Sequence, residues 1–418
     1  MNLRASKEAR PGVMLALLLV AYTLNFLDRQ IVSILKIPIK AELGLSDTQL
    51  GLMGGIAFAS VYSTLAIPFA RYADRRGRVR VIALAVATWS LFTAACGLVT
   101  SFAQLFVARM GVGIGEAGGV APSYALIAQH FPPPRRARAL AIFFLGIPIG
   151  SSLGLFFGGW IAQAIDWRTA FFAIGLIGLP IGWSIARLIP EGGAVSRPAA
   201  EPPFLTIAAE LAAKPSFWAL SLAAASGSIC GYGFAFWLPS YFSESLGLSL
   251  VDIGAYYGSI VLVGGTAGIL LGGAISDWLA SARAPAYAAV PAAAYALSIP
   301  AYLVAMSVDS QAIAWLLFAF AFALSQAWLG PIITAIQGLV APARRATASA
   351  CSLLFVNLIG IGFGTFVFGF AADRLRPAYG AAAMRYAILG GLGFYAIAAG
   401  LCVLAAISIK RDTESPNI

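Results

Sequence analysis

The sequence predicts an all-α polytopic membrane protein with twelve transmembrane helices in two six-helix bundles, and three observations carry that prediction. Hydrophobic residues make up 60% of the 418 and charged residues only 11%, a balance that would leave a soluble domain covered in apolar patches. A helical span needs ~20 apolar residues, and about twelve such stretches follow one another with short polar breaks. Lys and Arg concentrate in alternate breaks, the pattern of cytoplasmic loops. The net charge of +10 therefore reads as membrane topology, and no nucleic-acid partner is expected.

The first span, 13–35, follows Arg4, Lys7 and Arg10. It is too long for a signal-peptide core and carries Asp28 and Arg29, so it is expected to be retained. A polar stretch from Lys36 to Thr48 comes next, with Ser46 placed to cap the second span, 49–70. The following loop holds Arg71, Arg75, Arg76, Arg78 and Arg80, five arginines in ten residues. Spans three and four, 81–99 and 104–129, flank an uncharged turn, and Arg135, Arg136 and Arg138 return the chain to the basic side. Span five is 139–164, and span six ends near Arg187.

The Pro-, Ala- and Glu-rich stretch 190–215 is the longest break and reads as the linker between halves. Spans 217–240, 251–275, 286–306, 311–336, 347–370 and 384–408 repeat the rhythm. The expected organisation is a cytoplasmic N-terminus (1–12), a first bundle (13–189), a cytoplasmic linker (190–215), a second bundle (216–408) and a cytoplasmic tail (409–418). On this assignment nineteen Lys and Arg fall on the cytoplasmic side. Six fall outside: Lys36, Lys40, Arg168, Arg374, Arg376 and Arg385. Both termini are thus expected in the cytoplasm and the protein in the plasma (inner) membrane. Two sets of six spans suit repeats related by an axis along the membrane normal, with a substrate site at mid-depth.

Four charges fall well inside these spans: Asp28 and Arg29 in the first, Arg109 and Glu116 in the fourth. An ionised group at that depth costs several kcal/mol unless paired or facing water, so each is a functional candidate. Seven residues of helix turn about 700°, which puts Arg109 and Glu116 on one face ~10 Å apart. Adjacent residues diverge by about 100°, so Asp28 and Arg29 address different neighbours; Asn25 lies near the Asp28 face. A desolvated carboxylate gains proton affinity and a nearby arginine removes it. That competition suits proton coupling at Asp28 and Glu116, with Arg29, Arg109 and Asn25 balancing charge or binding an anionic substrate group. The competing structural reading is a static ion-pair lattice joining spans one and four, against which stands the cost of buried charge.

Other features point away from cofactors and catalysis. Gly113-Ile-Gly115-Glu-Ala-Gly118 matches G-x-G-x-x-G, but inside a membrane span it lacks the strand and helix N-terminus that the nucleotide fingerprint requires. The glycines there, and Gly146, Gly150, Gly154 and Gly158 in span five, read as close helix contacts. Cys96, Cys230, Cys351 and Cys402 have no metal-ligand spacing, and His130 is the one histidine. Neither a metal-centred enzyme nor an ATP-driven pump finds its residues; no cofactor is expected. Tyr22, Tyr62 and Tyr124 either line a cavity or simply pack. Asp74 is either a solvated loop carboxylate or a latch holding a neighbouring helix end.

The loop Ala70-Arg-Tyr-Ala-Asp74-Arg75-Arg76-Gly77-Arg78 resembles the major facilitator superfamily signature Gly-x-x-x-Asp-Arg-x-Gly-Arg, with Ala70 in place of the first glycine. Gly273-Ala-Ile-Ser-Asp277 is a degenerate copy in the second half. The resemblance implies alternating access by rocking of the halves, and it implies a cytoplasmic latch at Asp74, Arg75, Gly77 and Arg78. Asn25-Phe-Leu-Asp28-Arg29, Ser46-Asp-Thr-Gln-Leu-Gly51 and Gly113-Ile-Gly115-Glu116-Ala with Ala121-Pro122 resemble the spinster-like branch. That likeness implies proton-linked movement of lysophospholipids or sphingoid lipids, with Asp28, Arg29, Arg109 and Glu116 at matching positions. The same pairs also resemble sialin-type organic anion:proton symporters.

The first reading is therefore a proton-coupled secondary transporter, expected as a monomer, moving a small amphipathic lipid-like substrate. The second replaces the cargo with a sugar-acid type organic anion, and the third is a non-transporting receptor or scaffold.

Overall fold

The computed structural model describes residues 11–191, 204–280, 285–341 and 344–414; Arg4, Lys7, Arg10, Arg197 and Arg283 lie outside them. The regular secondary structure of the described residues is all helical. The first half comprises α1 (Pro11–Leu43), α2 (Asp47–Gly54), α3 (Ile56–Arg76), α4 (Arg78–Cys96), α5 (Phe102–Ala117), α6 (Val120–His130), α7 (Pro133–Phe144), α8 (Gly146–Ala164) and α9 (Trp167–Leu188). A short helix α10 (Phe204–Ala212) lies within the linker. The second half comprises α11 (Pro215–Leu246), α12 (Leu250–Ala280), α13 (Ala286–Ala305), α14 (Gln311–Gln326), α15 (Leu329–Gly338), α16 (Arg345–Phe355), α17 (Gly362–Tyr379), α18 (Ala383–Gly391) and α19 (Gly393–Glu414). A π-helical turn, Val356–Ile361, joins α16 to α17.

These helices make the twelve spans, several broken at glycines into two pieces. Ten stretches among the described residues are long and apolar enough to cross a bilayer. One of them, Thr347–Ile409, is long enough for two spans at 63 residues, and α5 with α6 supplies the remaining one, which carries Arg109 and Glu116. The surface is correspondingly greasy: Leu84, Leu91, Val107, Trp183, Leu270 and Ile407 are all exposed, as a lipid-facing surface requires.

One correction concerns the first span. The polar break expected from Lys36 is helical as far as Leu43, and Lys36 is completely buried with its Nζ donating to Ser33 O at 2.6 Å. Mid-span burial of charge therefore extends to a fifth residue. Lysine's four-carbon stem packs like an apolar side chain, which is why a helix continues through it.

The chain divides into two compact units. The first contains residues 1–45, 57–196 and 250–254, and the second contains 46–56, 197–249 and 255–418. Within the first unit, the glycines of α8 form a close contact with α1. A Cβ on Gly150 would lie 2.1 Å from Thr23 O, one on Gly154 2.6 Å from Leu27 O, and one on Gly158 2.7 Å from Ile31 Cγ1. Only glycine lets the backbones approach so closely. The α1 face bearing Thr23, Leu27 and Ile31 is thereby fixed, and the face about 200° away, with Asn25, is turned toward α3, α4 and α5.

Within the second unit, α2 packs on α17. Ser46 caps α2 in a reciprocal capping box with Gln49. Asp373 of α17 then accepts from the backbone of Asp47 at 3.1 Å and of Thr48 at 2.7 Å, and from Thr48 Oγ1 at 2.6 Å. Arg376 bonds the buried Asp47 at 2.6 Å and Glu244 of α11 at 3.3 Å. The linker helix α10 is tied to this unit by Glu210 with Arg344.

At the other end of α1, beyond its apolar part, Glu42 accepts from Trp167 Nε1 and from Arg168 Nη1, both at 2.6 Å. The Trp167 bond foremost, then Arg168, holds the Glu42 carboxyl below the usual glutamate range. A depressed carboxyl contributes stability above its unfolded value of about 4.3 and loses it as pH falls through the folded value. Thermal unfolding measured downward from about pH 5 is thus expected to fall more steeply for the wild type than for Glu42→Gln. The carboxyl is half exposed, so the difference is small.

Candidate functional site

The glycines of span four place its charges. A Cβ on Gly115 would lie 2.5 Å from Trp89 N, and one on Gly113 2.9 Å from Phe58 O. The G-x-G-x-x-G run is therefore a packing surface on which α5 meets α4 and α3. It carries Arg109 and Glu116 into the interior, where they are 2% and 0% exposed.

Asp28 and Arg29 diverge as adjacent helical residues must. Asp28 turns to α4, where its Oδ2 accepts from Thr93 Oγ1 at 2.5 Å. Arg29 turns to α5, where its Nε donates to Glu116 Oε2 at 2.6 Å. Asn25 is a hydrogen-bonding neighbour of Glu116, and Arg109 lies within electrostatic range of both Glu116 and Asp28. All five predicted residues thus meet in one cluster of α1 and α5.

The cluster is incompletely satisfied by protein. Arg109 Nε and Nη1, Asn25 Oδ1, Asp28 Oδ1 and Glu116 Oε1 are buried without a hydrogen-bond partner. Burying such atoms without a partner is costly where apolar packing would serve. A cavity of about 10 Å³, lined by Tyr22, Asn25, Trp89 and Ser123 among others, adjoins it; that is room for about one water.

Aromatic rings complete the shell. The Arg29 guanidinium lies 4.7 Å from the centroids of both Phe58 and Tyr62 and 5.2 Å from Phe26. Arg109 also lies over Phe58, at 5.8 Å. Thr93, Trp89 and Phe58 were not singled out from the sequence. A threonine in an apolar span has no distinguishing pattern, and among 27 Phe and 14 Tyr the four-residue spacing of Phe58 and Tyr62 does not stand out.

The signature loop is arranged separately. Asp74 accepts from Arg78 Nη2 at 2.7 Å and Nε at 3.0 Å, a pairing within its own loop, and Arg78 also reaches Gln129 at 3.3 Å. Gly77 has φ +105°, a conformation that favours glycine, and a Cβ there would meet the Glu191 carboxylate at 2.6 Å. Glu191 accepts from Arg80 N at 2.7 Å and so caps α4. Arg75 is exposed. The four cysteines are free and buried.

The fold is that of a membrane transporter of a known family. The chain belongs to the Major Facilitator Superfamily, whose family model matches residues 18–365. Within it, the chain is a member of the spinster-like branch. A solved bacterial homolog of the human lysosomal transporter Spinster, in an inward-facing and unoccupied conformation, matches with TM-score 0.83 and 29% identity over 97% of this chain and 99% of that one. An MFS-type efflux pump of Mycolicibacterium smegmatis is 35% identical over 93% of this chain and 91% of its own. A probable L-galactonate transporter of Escherichia coli is 28% identical over 85% and 82%.

Proposed function

We propose that the protein is a proton-coupled secondary transporter that moves an amphipathic, lipid-like substrate by alternating access. The observation that carries the reading is Glu116, wholly buried, held by Arg29 through one oxygen and unpartnered at the other. A proton added to Glu116 removes the charge that holds Arg29 Nε, and the guanidinium then suits an anionic headgroup. Asp28, with one oxygen on Thr93 and one unpartnered, is the second proton site. Arg109 and Asn25 balance the changes of charge, and the protein works as a monomer in the plasma (inner) membrane with both termini cytoplasmic. Asp74, Arg75, Gly77 and Arg78 serve as a cytoplasmic latch, Asp74 exchanging Arg78 for a helix end in the other conformation. The domain organisation proposed with this reading is two bundles, 13–189 and 216–408, with the linker 190–215 between them in sequence.

A lipid-like cargo is favoured by where charge is absent. Among the described residues, spans seven to twelve hold no buried charged side chain; Asp412, near the end of α19, lies beyond the twelfth span. A lysophospholipid or sphingoid lipid has one charged end and one apolar end, as this distribution has. The second reading, an organic anion:proton symporter, draws on the buried Arg109 and the part-buried Arg29 and on the L-galactonate transporter's likeness.

The test is proton flux into proteoliposomes under an imposed pH gradient, with lysophospholipid, sphingoid base or sugar acid added singly. Flux evoked by a lipid and lost in Glu116→Gln is the expected result. Flux evoked by the sugar acid alone replaces the cargo; flux unchanged in Glu116→Gln removes Glu116 from the coupling.

A further inference from the structure

We infer that Phe58 and Tyr62 are positioning residues for the Arg29–Glu116 pair, holding the guanidinium against the carboxylate by a shared aromatic face. Their rings sit one helical turn apart on α3 and stack at 5.1 Å with 20° between planes, forming a single continuous π surface. Arg29 Cζ is equidistant from both centroids, at 4.7 Å. Phe58 is 2% exposed and is held from behind, since Gly113 of α5 brings the two helices to the closest approach that a glycine allows.

The chemistry explains why aromatics stand here. A buried guanidinium needs more compensation than one carboxylate bond, and a desolvated cation over an aromatic face gains about 2 kcal/mol. A second carboxylate would gain more but would add another proton acceptor and compete for Arg29. An aromatic face stabilises the cation without titrating, so the charge state of the pair stays with Glu116. Phe58 also faces Arg109 at 5.8 Å, so one ring serves both cations while only Arg29 reaches Glu116 Oε2. The groups facing Glu116 are then Arg29 and Asn25 of α1 and Arg109 of its own helix, with Asp28 turned to Thr93 on α4.

This deepens the transport reading, yet its test is independent of cargo. Dicyclohexylcarbodiimide labels protonated carboxyls in apolar surroundings: the acid adds across the C=N bond, its proton passing to nitrogen, and an O-to-N acyl shift leaves a stable N-acylurea. Labelling of the Glu116 peptide is followed by mass spectrometry across pH in wild type, Phe58→Leu, Phe58→Tyr and Tyr62→Leu in proteoliposomes, with Glu116→Gln as blank. At a given pH, Phe58→Leu is expected to raise Glu116 labelling by up to about thirtyfold, the factor that ~2 kcal/mol for one desolvated cation–π contact carries. Phe58→Tyr keeps the wild-type level, and Asp28, which is coupled to the same arginines, changes its labelling far less than Glu116 in every variant. Unchanged Glu116 labelling in Phe58→Leu overturns the proposal, as does a parallel rise at Asp28, which would mark general loosening. If Phe58→Leu does not fold, Tyr62→Leu decides by the same criteria. Loss of proton coupling in the flux experiment would leave this result standing, and the reverse also holds.

Discussion

Arg29→Met is expected to lower stability by about 3–5 kcal/mol, the cost of leaving a buried carboxylate without its cation. Glu116 is 0% exposed and Arg29 Nε is its hydrogen-bonded cation at 2.6 Å, so solvent cannot replace what the methionine removes. Arg109, already in electrostatic range, recovers part of the loss. The second step distinguishes a lost charge from a lost packing surface. Glu116→Gln alone is expected to be mild, because glutamine keeps the shape and sheds the charge. The double variant Arg29→Met with Glu116→Gln is expected to regain most of the stability. The measurement is chemical or thermal unfolding in one detergent for all four proteins. A double variant no more stable than Arg29→Met would show that the arginine acts through its stem and its aromatic contacts alone.

That the same two residues dominate both sequence and structure has a physical reason. In a chain with 11% charged residues, an ionised side chain in an apolar span announces itself by its cost, and helical geometry then fixes which neighbour it faces. Asp28, Arg29, Arg109, Glu116 and Asn25 were legible on that ground, and so was the glycine contact of span five, because a four-residue repeat of small side chains has one helical meaning. Residues that reveal themselves only by contact were not. Thr93 and Phe58 are ordinary members of apolar helices until folding brings them to Asp28 and Arg29. Lys36 misled for the opposite reason: a cation next to a polar stretch reads as the end of a span, while its stem is long enough to be buried within a helix. Glu191, read only as part of the linker, is the cap of α4 because Gly77 bends the chain toward it.

Asp373 marks the limit of sequence reading most clearly, and Asp373→Ala carries the second large expected effect, about 2–3 kcal/mol. One carboxylate, 326 residues along the chain from Asp47, takes both leading amides of α2 and the Thr48 hydroxyl. Charge-assisted bonds to a helix N-terminus are strengthened by the helix dipole, and these are part-buried, so water replaces them poorly. Ser46 and Gln49 already satisfy the local capping rule, which is why nothing in the sequence asks for a distant partner. The same contact is packed without slack, since a Cβ on Gly51 would lie 2.5 Å from Thr365 O and Thr365 Oγ1 donates to Gly51 O at 2.7 Å. Hydrogen exchange should therefore report the loss locally. In Asp373→Ala the amides of Asp47 and Thr48 are expected to lose protection while those of α8 keep it. Asp373→Asn, which retains an acceptor without the charge, is expected to fall between. Protection unchanged at α2 in the alanine variant would assign the stability of this end to the Ser46 capping box and the Arg376–Asp47 pair instead.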